Sequence, residues 1–125
     1  MKNLLGIHAL VWTGGWSPEE AELAISSTAQ AGFDLIEIPA LDPSRIDIGD
    51  TKMRLEKHGL KAGFSLGLTL ETDINSEDTA KVDRGRTTLM EALAVARGVN
   101  SSYLGGVVFG ALAKYPGPTS QRARE

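Results

Sequence analysis

The sequence predicts an α/β domain built from parallel strand–helix units. Short apolar runs alternate with helix-length segments from the first residues onward, at a period of about 30 residues. The helical segments carry their own start and stop residues. Strands that alternate with helices in this way imply parallel pairing and right-handed crossovers.

The first strand is expected over residues 4–12, LLGIHALVW, bounded by Thr13-Gly14-Gly15. A helix over 17–31 follows. Ser17 is its N-cap, Pro18 occupies the first helical position, and Glu20 completes a capping box. Ala21, Ala24, Ile25 and Thr28 form its apolar stripe, and Gly32 is placed to end it in the left-handed conformation. The unit then recurs: a strand at 34–39, DLIEIP, and a helix at 50–58 stopped by Gly59. The third strand spans 61–68, KAGFSLGL. Ser76-Glu77-Asp78 caps the longest helix, with an acidic first turn, over 76–97. A fourth strand is expected at 102–109, SYLGGVVF, and residues 119–122 read as a further helix start. The chain ends at Glu125 before that helix could turn once more, so a truncated or split domain is expected.

Composition narrows the function classes. A chain of 125 residues suits one domain, and 42% hydrophobic with 23% charged residues is the globular range. Thirteen Lys and Arg against sixteen Asp and Glu give a net charge of −3, which argues against a nucleic-acid partner. With no cysteine, disulfides and thiolate metal sites are excluded. No apolar run is long enough to span a membrane, and His8 interrupts the one segment that imitates a signal peptide. A cytoplasmic location is the expectation.

Alternation along the strands separates two faces. Ile7, Ala9 and Val11 share one, and His8, Leu10 and Trp12 the other. Ile36 and Ile38 oppose Glu37; Phe64 and Leu66 oppose Gly63, Ser65 and Gly67. A parallel sheet is normally apolar on both sides. His8, Glu37 and Ser65, one per strand, therefore mark a candidate floor for a polar ligand. The same residues also fit a mutually satisfied buried contact, and His8 with Glu37 supplies two ligands at most toward a metal. Gly14-Gly15 before a helix suits a plain turn better than a phosphate loop, since neither the Walker nor the dinucleotide spacing is present. Trp16 fits either a packing contact at the helix start or a ligand cover. His58, in the last turn of its helix, fits a solvated position favoured by the dipole.

The succession GIHALVWTGGWSPE, AGFDLIEIP, LEKHGL, SLGL with INSED, and YLGGVV resembles the D-tagatose 3-epimerase and D-psicose 3-epimerase family. These are sugar isomerases and epimerases with a xylose isomerase-like barrel. The resemblance covers residues 2 to about 115 and implies the N-terminal half of a TIM-type (β/α)8 barrel, whose full form takes about 250 residues. It implies C3 epimerisation of a ketohexose through a cis-enediol, with a divalent metal (manganese, or magnesium or cobalt) in the intact enzyme. The family's metal ligands and proton-transferring glutamates would lie beyond Glu125, so no catalytic or metal residue, and no metal for this chain alone, is expected. The first four strands would shape the sugar pocket. The resemblance places His8, Trp16, Glu37, Ser65, Gly67, Gly106 and Val107 there, with Trp16 covering the sugar. It weakens at Phe109-Gly110-Ala111-Leu112, where sugar preference is set. The expected partners are a small sugar and either a second copy or a C-terminal half.

Alternatives are a non-catalytic half-barrel and a fragment of another enzyme of the superfamily, such as hydroxypyruvate isomerase or inosose dehydratase. Endonuclease IV, also of that superfamily, is disfavoured by the charge, and an open flavodoxin-like domain by the missing phosphate loop.

Overall fold

The computed structural model describes residues 3–101, 103–114 and 121. Among them four strands, β1 (Gly6–His8), β2 (Leu35–Pro39), β3 (Lys61–Leu68) and β4 (Leu104–Ala111), alternate with helices α1 (Pro18–Gln30), α2 (Ile48–His58) and α3 (Thr79–Gly98). The strands lie in the order β1-β2-β3-β4, every neighbouring pair parallel. The helix start expected at 119–122 falls largely outside the described residues.

Side-chain chemistry explains the element boundaries. At α1, Ser17 Oγ accepts from the Glu20 amide and the Glu20 carboxylate accepts from the Ser17 amide. This reciprocal cap contributes about 1 kcal/mol. Asp47 caps α2, which therefore starts two residues earlier than expected, and Gly59 ends it at φ +66°. The cap of α3 is Asp78, so Glu77 and Asp78 precede its first turn instead of occupying it.

The first strand is a correction. Pairing stops at His8, and Ala9–Val11 form a single 3-10 turn. The His8 imidazole causes this, because its Nδ1 accepts from the Leu10 amide at 3.1 Å and caps the turn. Leu10 and Trp12 consequently do not share a strand face with His8. Leu10 is exposed, while Trp12 packs on the core and donates from Nε1 to Thr28 Oγ1 of α1 at 3.0 Å.

All three helices feed one apolar cluster. Ala24 and Ile25 of α1, Leu55 of α2, and Ala92, Val95 and Ala96 of α3 meet Ile36, Ile38, Phe64 and Leu66 of the sheet. Ile36, Ile38 and Phe64 are completely buried. Truncating Phe64 to Ala would cost about 3–5 kcal/mol. The helices thus cover the Ile36–Phe64 face, leaving the Glu37–Ser65 face to whatever the sheet curves around. An open flavodoxin-like sheet would carry helices on both faces and a different strand order.

Two charge clusters tie the periphery. Glu22 of α1 accepts from Arg54, Lys57 and His58 of α2, at 2.5, 3.0 and 3.2 Å for the closest atoms. His58 is therefore partnered across the helix pair and not simply solvated. Hydrogen bonds from Lys57, then Arg54 and His58, lower the Glu22 carboxyl from 4.5 to about 2. Asp73, buried in the loop after β3, accepts from the Asn75 and Ala111 amides on Oδ1 and from Lys114 Nζ on Oδ2 at 2.5 Å. Burial pushes its carboxyl up, but those donors together hold it below the ordinary value.

Both groups are depressed, so their stabilisation is complete above the unfolded-state carboxyl range and is lost as pH falls through the folded values. Urea midpoints should therefore drop on acidification from about pH 4.5 toward about pH 2. Glu22→Gln and Asp73→Asn should each flatten that dependence, and Asp73→Asn should cost roughly 2–3 kcal/mol at pH 7. An unchanged acid slope in the double variant would contradict the assignment.

Candidate functional site

The sheet face without helices collects the polar residues. Register sets His8 beside Glu37 across β1 and β2, and Glu37 beside Gly63 across β2 and β3. Ser65 lies one pleat further along β3, between Pro39 and Gly105. Side-chain reach closes the cluster. His8 Nε2 stands 3.3 Å from Ser65 Oγ and 3.7 Å from Glu37 Oε1. The Tyr103 hydroxyl donates to Glu37 Oε2 at 3.0 Å. Burial, and then the Glu37 carboxylate, push the Tyr103 phenol above its ordinary value, so it remains a neutral donor at physiological pH. His8, Glu37 and Tyr103 line an open cavity of about 420 Å³ together with Leu4, Gly6, Ile7 and Leu35.

Glycines on this face make room for neighbours from β4 and beyond. A Cβ on Gly63 would lie 2.1 Å from the Tyr103 ring, and one on Gly67 would lie 3.2 Å from the Leu112 side chain. Tyr103 and Leu112 thus cover β3 on either side of Ser65. Of the two, Tyr103 is not among the residues expected at the site. A glycine within a strand signals close approach of another group, and Gly63 and Gly67 flanking Ser65 carried that signal.

The remaining expected residues are placed as follows. Val107 is in register with Gly67 and is partly buried. Gly106 is in register with Leu66, whose side chain belongs to the helix-covered core. Its φ of +104° and the Leu66 carbonyl, 2.1 Å from a built Cβ, require glycine there for backbone reasons. Beyond Gly67 the pairing shifts, with Leu68 opposite Ala111, so β4 bulges and leaves Phe109 exposed. The Asp73 and Lys114 contacts hold that bulge from behind.

Trp16 is not brought into the His8 cluster. It packs against the core and donates from Nε1 to the buried Thr51 Oγ1 at 3.0 Å. It also lines a separate cavity of about 460 Å³ with Gly15, Pro39, Asp42 and Arg45, beside the C-terminal end of β2. Gly14-Gly15 is the expected turn: a Cβ on Gly15 would lie 2.7 Å from the Glu20 carboxylate. That carboxylate already occupies the positive end of α1, where a phosphate would otherwise sit. Among the described residues no three His, Asp or Glu side chains gather in a way that could hold a metal ion. The metal implied by the resemblance therefore finds no ligand set there.

A scan against protein-family models finds no match. The chain is 47% identical over 119 residues to an L-ribulose 3-epimerase of Methylomonas sp. strain DH-1, a match covering 95% of this chain and 42% of that protein. It is 40% identical over 116 residues to a ketose 3-epimerase of Arthrobacter globiformis, covering 93% and 40%. A crystal structure of a Methylomonas D-allulose 3-epimerase in complex with D-allulose superposes with a TM-score of 0.92 at 46% identity, over 99% of this chain and 43% of that one. The chain thus spans about two-fifths of the length of these relatives. Its four parallel strands and intervening helices match the N-terminal half of their TIM-barrel fold. In sequence and in fold, the chain is similar to the N-terminal part of ketose 3-epimerases.

Proposed function

We propose that this chain supplies the sugar-binding side of a ketose 3-epimerase, an enzyme that inverts C3 of a ketohexose by removing a proton and returning it on the other face. The observation that carries this reading is the polar cluster of His8, Glu37, Ser65 and Tyr103 on the helix-free face of the sheet. It is supported by relatives named as ketose epimerases, one of them crystallised with D-allulose. A polyhydroxylated sugar is bound through alternating donors and acceptors, and this face offers an imidazole, a carboxylate and a serine hydroxyl within one side chain's reach. Gly67 and Val107 would lie at its upper edge and Trp16 at the mouth, while Gly106 contributes by its backbone.

The chain's own share of the chemistry is to bind and orient the sugar. The proton transfer, and the divalent metal the family resemblance implies, would rest on residues outside the described set. We place the further strands that a full barrel takes against β1 and β4, the end strands of the described sheet. Leu10, Val11 and Phe109 are exposed near those ends and suit such a contact. A cytoplasmic setting fits this reading, and among the described residues no helix is long and apolar enough to cross a membrane.

The test is ketohexose epimerisation with added manganese. It is run on the 125-residue chain alone and after mixing with a segment carrying the remaining strands of a relative. Turnover is expected in the mixture only, with Trp16→Ala raising KM more than it lowers kcat. Size-exclusion chromatography should show the short chain self-associated or captured by the added segment. Robust turnover by a monomer of the short chain, or none in the mixture, would contradict the proposal.

A further inference from the structure

We propose that the Leu10 amide locks His8 as the Nε2–H tautomer, and that this leaves the Ser65 hydroxyl proton to be donated toward the bound ketose. The inference rests on the epimerase reading for the identity of its ligand and on the geometry alone for its direction.

A backbone N–H can only donate. Because the Leu10 amide points at His8 Nδ1 at 3.1 Å, that nitrogen must present its lone pair. A neutral imidazole with a bare Nδ1 carries its proton on Nε2. The acceptor nearest to Nε2 is Ser65 Oγ at 3.3 Å; Glu37 Oε1 lies further off at 3.7 Å, and Glu37 Oε2 already accepts from Tyr103. Ser65 Oγ therefore receives the imidazole proton, and its own hydroxyl proton is left to be given elsewhere.

Among the described residues no side chain is seen to take that proton. Its register partners are Pro39 and Gly105, which have no side-chain acceptor. The next residues along the same face, Gly63 and Gly67, are covered by Tyr103 and Leu112. Ser65 is thus the one polar side chain that β3 presents between those two covers, on the face without helices, and its hydroxyl is free to turn its proton toward a ligand. A sugar oxygen placed there can accept that proton, while the imidazole already occupies one of the two lone pairs on Ser65 Oγ. The Leu10 amide belongs to the 3-10 turn that replaces the end of β1, so the turn and the polarity of the pocket are set by the same hydrogen bond.

The first arm of the test is long-range 15N–1H NMR of the histidine-labelled chain at pH 8, with His58→Asn used to assign the two rings. A protonated Nε2 and a bare Nδ1 are expected for His8, unchanged in Ser65→Ala because the Leu10 amide sets the tautomer. A protonated Nδ1 in the unmodified chain, or a reversal in Ser65→Ala, would overturn the proposal, whatever the fate of the epimerase reading. The second arm measures D-allulose affinity in the two-segment mixture. Ser65→Ala should weaken it about tenfold, the loss of one hydrogen bond of about 1.4 kcal/mol. Ser65→Thr, which keeps the donor, should stay within about threefold. Equal losses in both variants, or none in either, would overturn the donor role. Absence of D-allulose binding in the unmodified mixture would overturn it together with the reading it rests on.

Discussion

Burial of Ile36, Ile38, Phe64 and Leu66 beneath the three helices is the interaction on which the rest of the structure depends. Those side chains occupy alternate positions, so committing them to one face commits Glu37, Ser65 and the intervening glycines to the other. A one-residue slip in β2 or β3 would send the isoleucines into the open face and the carboxylate into the core, at a prohibitive desolvation cost. The core therefore fixes the register, and the register fixes which polar groups meet. His8, Glu37 and Ser65 come from strands separated by dozens of residues, yet their spacing is a consequence of hydrophobic packing on the far side of the sheet.

The polar face in turn shapes its own surroundings. His8 uses one ring nitrogen to end β1 and the other to reach Ser65, so the same side chain terminates a strand and joins the polar cluster. The Tyr103 ring lies where a side chain at residue 63 would stand, and Leu112 packs closely over Gly67. The β4 bulge that presents Phe109 is anchored through Asp73, whose oxygens hold the Ala111 amide and the Lys114 ammonium. Much of the loop structure at this end of the sheet is thus assembled from single hydrogen bonds to buried or half-buried groups. Substitutions at Asp73 should reach the pocket without touching it.

Most of the architecture was legible in the sequence because its signals are local. The capping box at Ser17 and Glu20, the left-handed Gly32 and Gly59, and the alternation of Ile36–Glu37–Ile38 each depend on neighbours a few residues away. Where the reading failed, the deciding partner was distant or ambiguous. Residues 4–12 are apolar enough for a strand, but the His8 cap converts their second half into a turn and sends Trp12 to α1. His58 looked solvated because its partner, Glu22, lies 36 residues away on another helix. Tyr103 escapes a reading of strand alternation, although the glycine at 63 signals that a neighbour approaches β3 there. Gly106, expected at the pocket, has a backbone reason for being glycine that the sequence alone does not show, its φ of +104°.

The central claim is that the helix-free face, organised by His8, Glu37 and Ser65, is where a ketose sits. The most direct measurement is a crystal structure of the chain, together with the segment that completes it, soaked with D-allulose. The account predicts sugar density within hydrogen-bonding distance of Ser65 Oγ, on the face opposite Ile36 and Phe64. Sugar bound instead in the cavity beside Arg45 and Gly15, or a helix packed across His8 and Glu37, would contradict it.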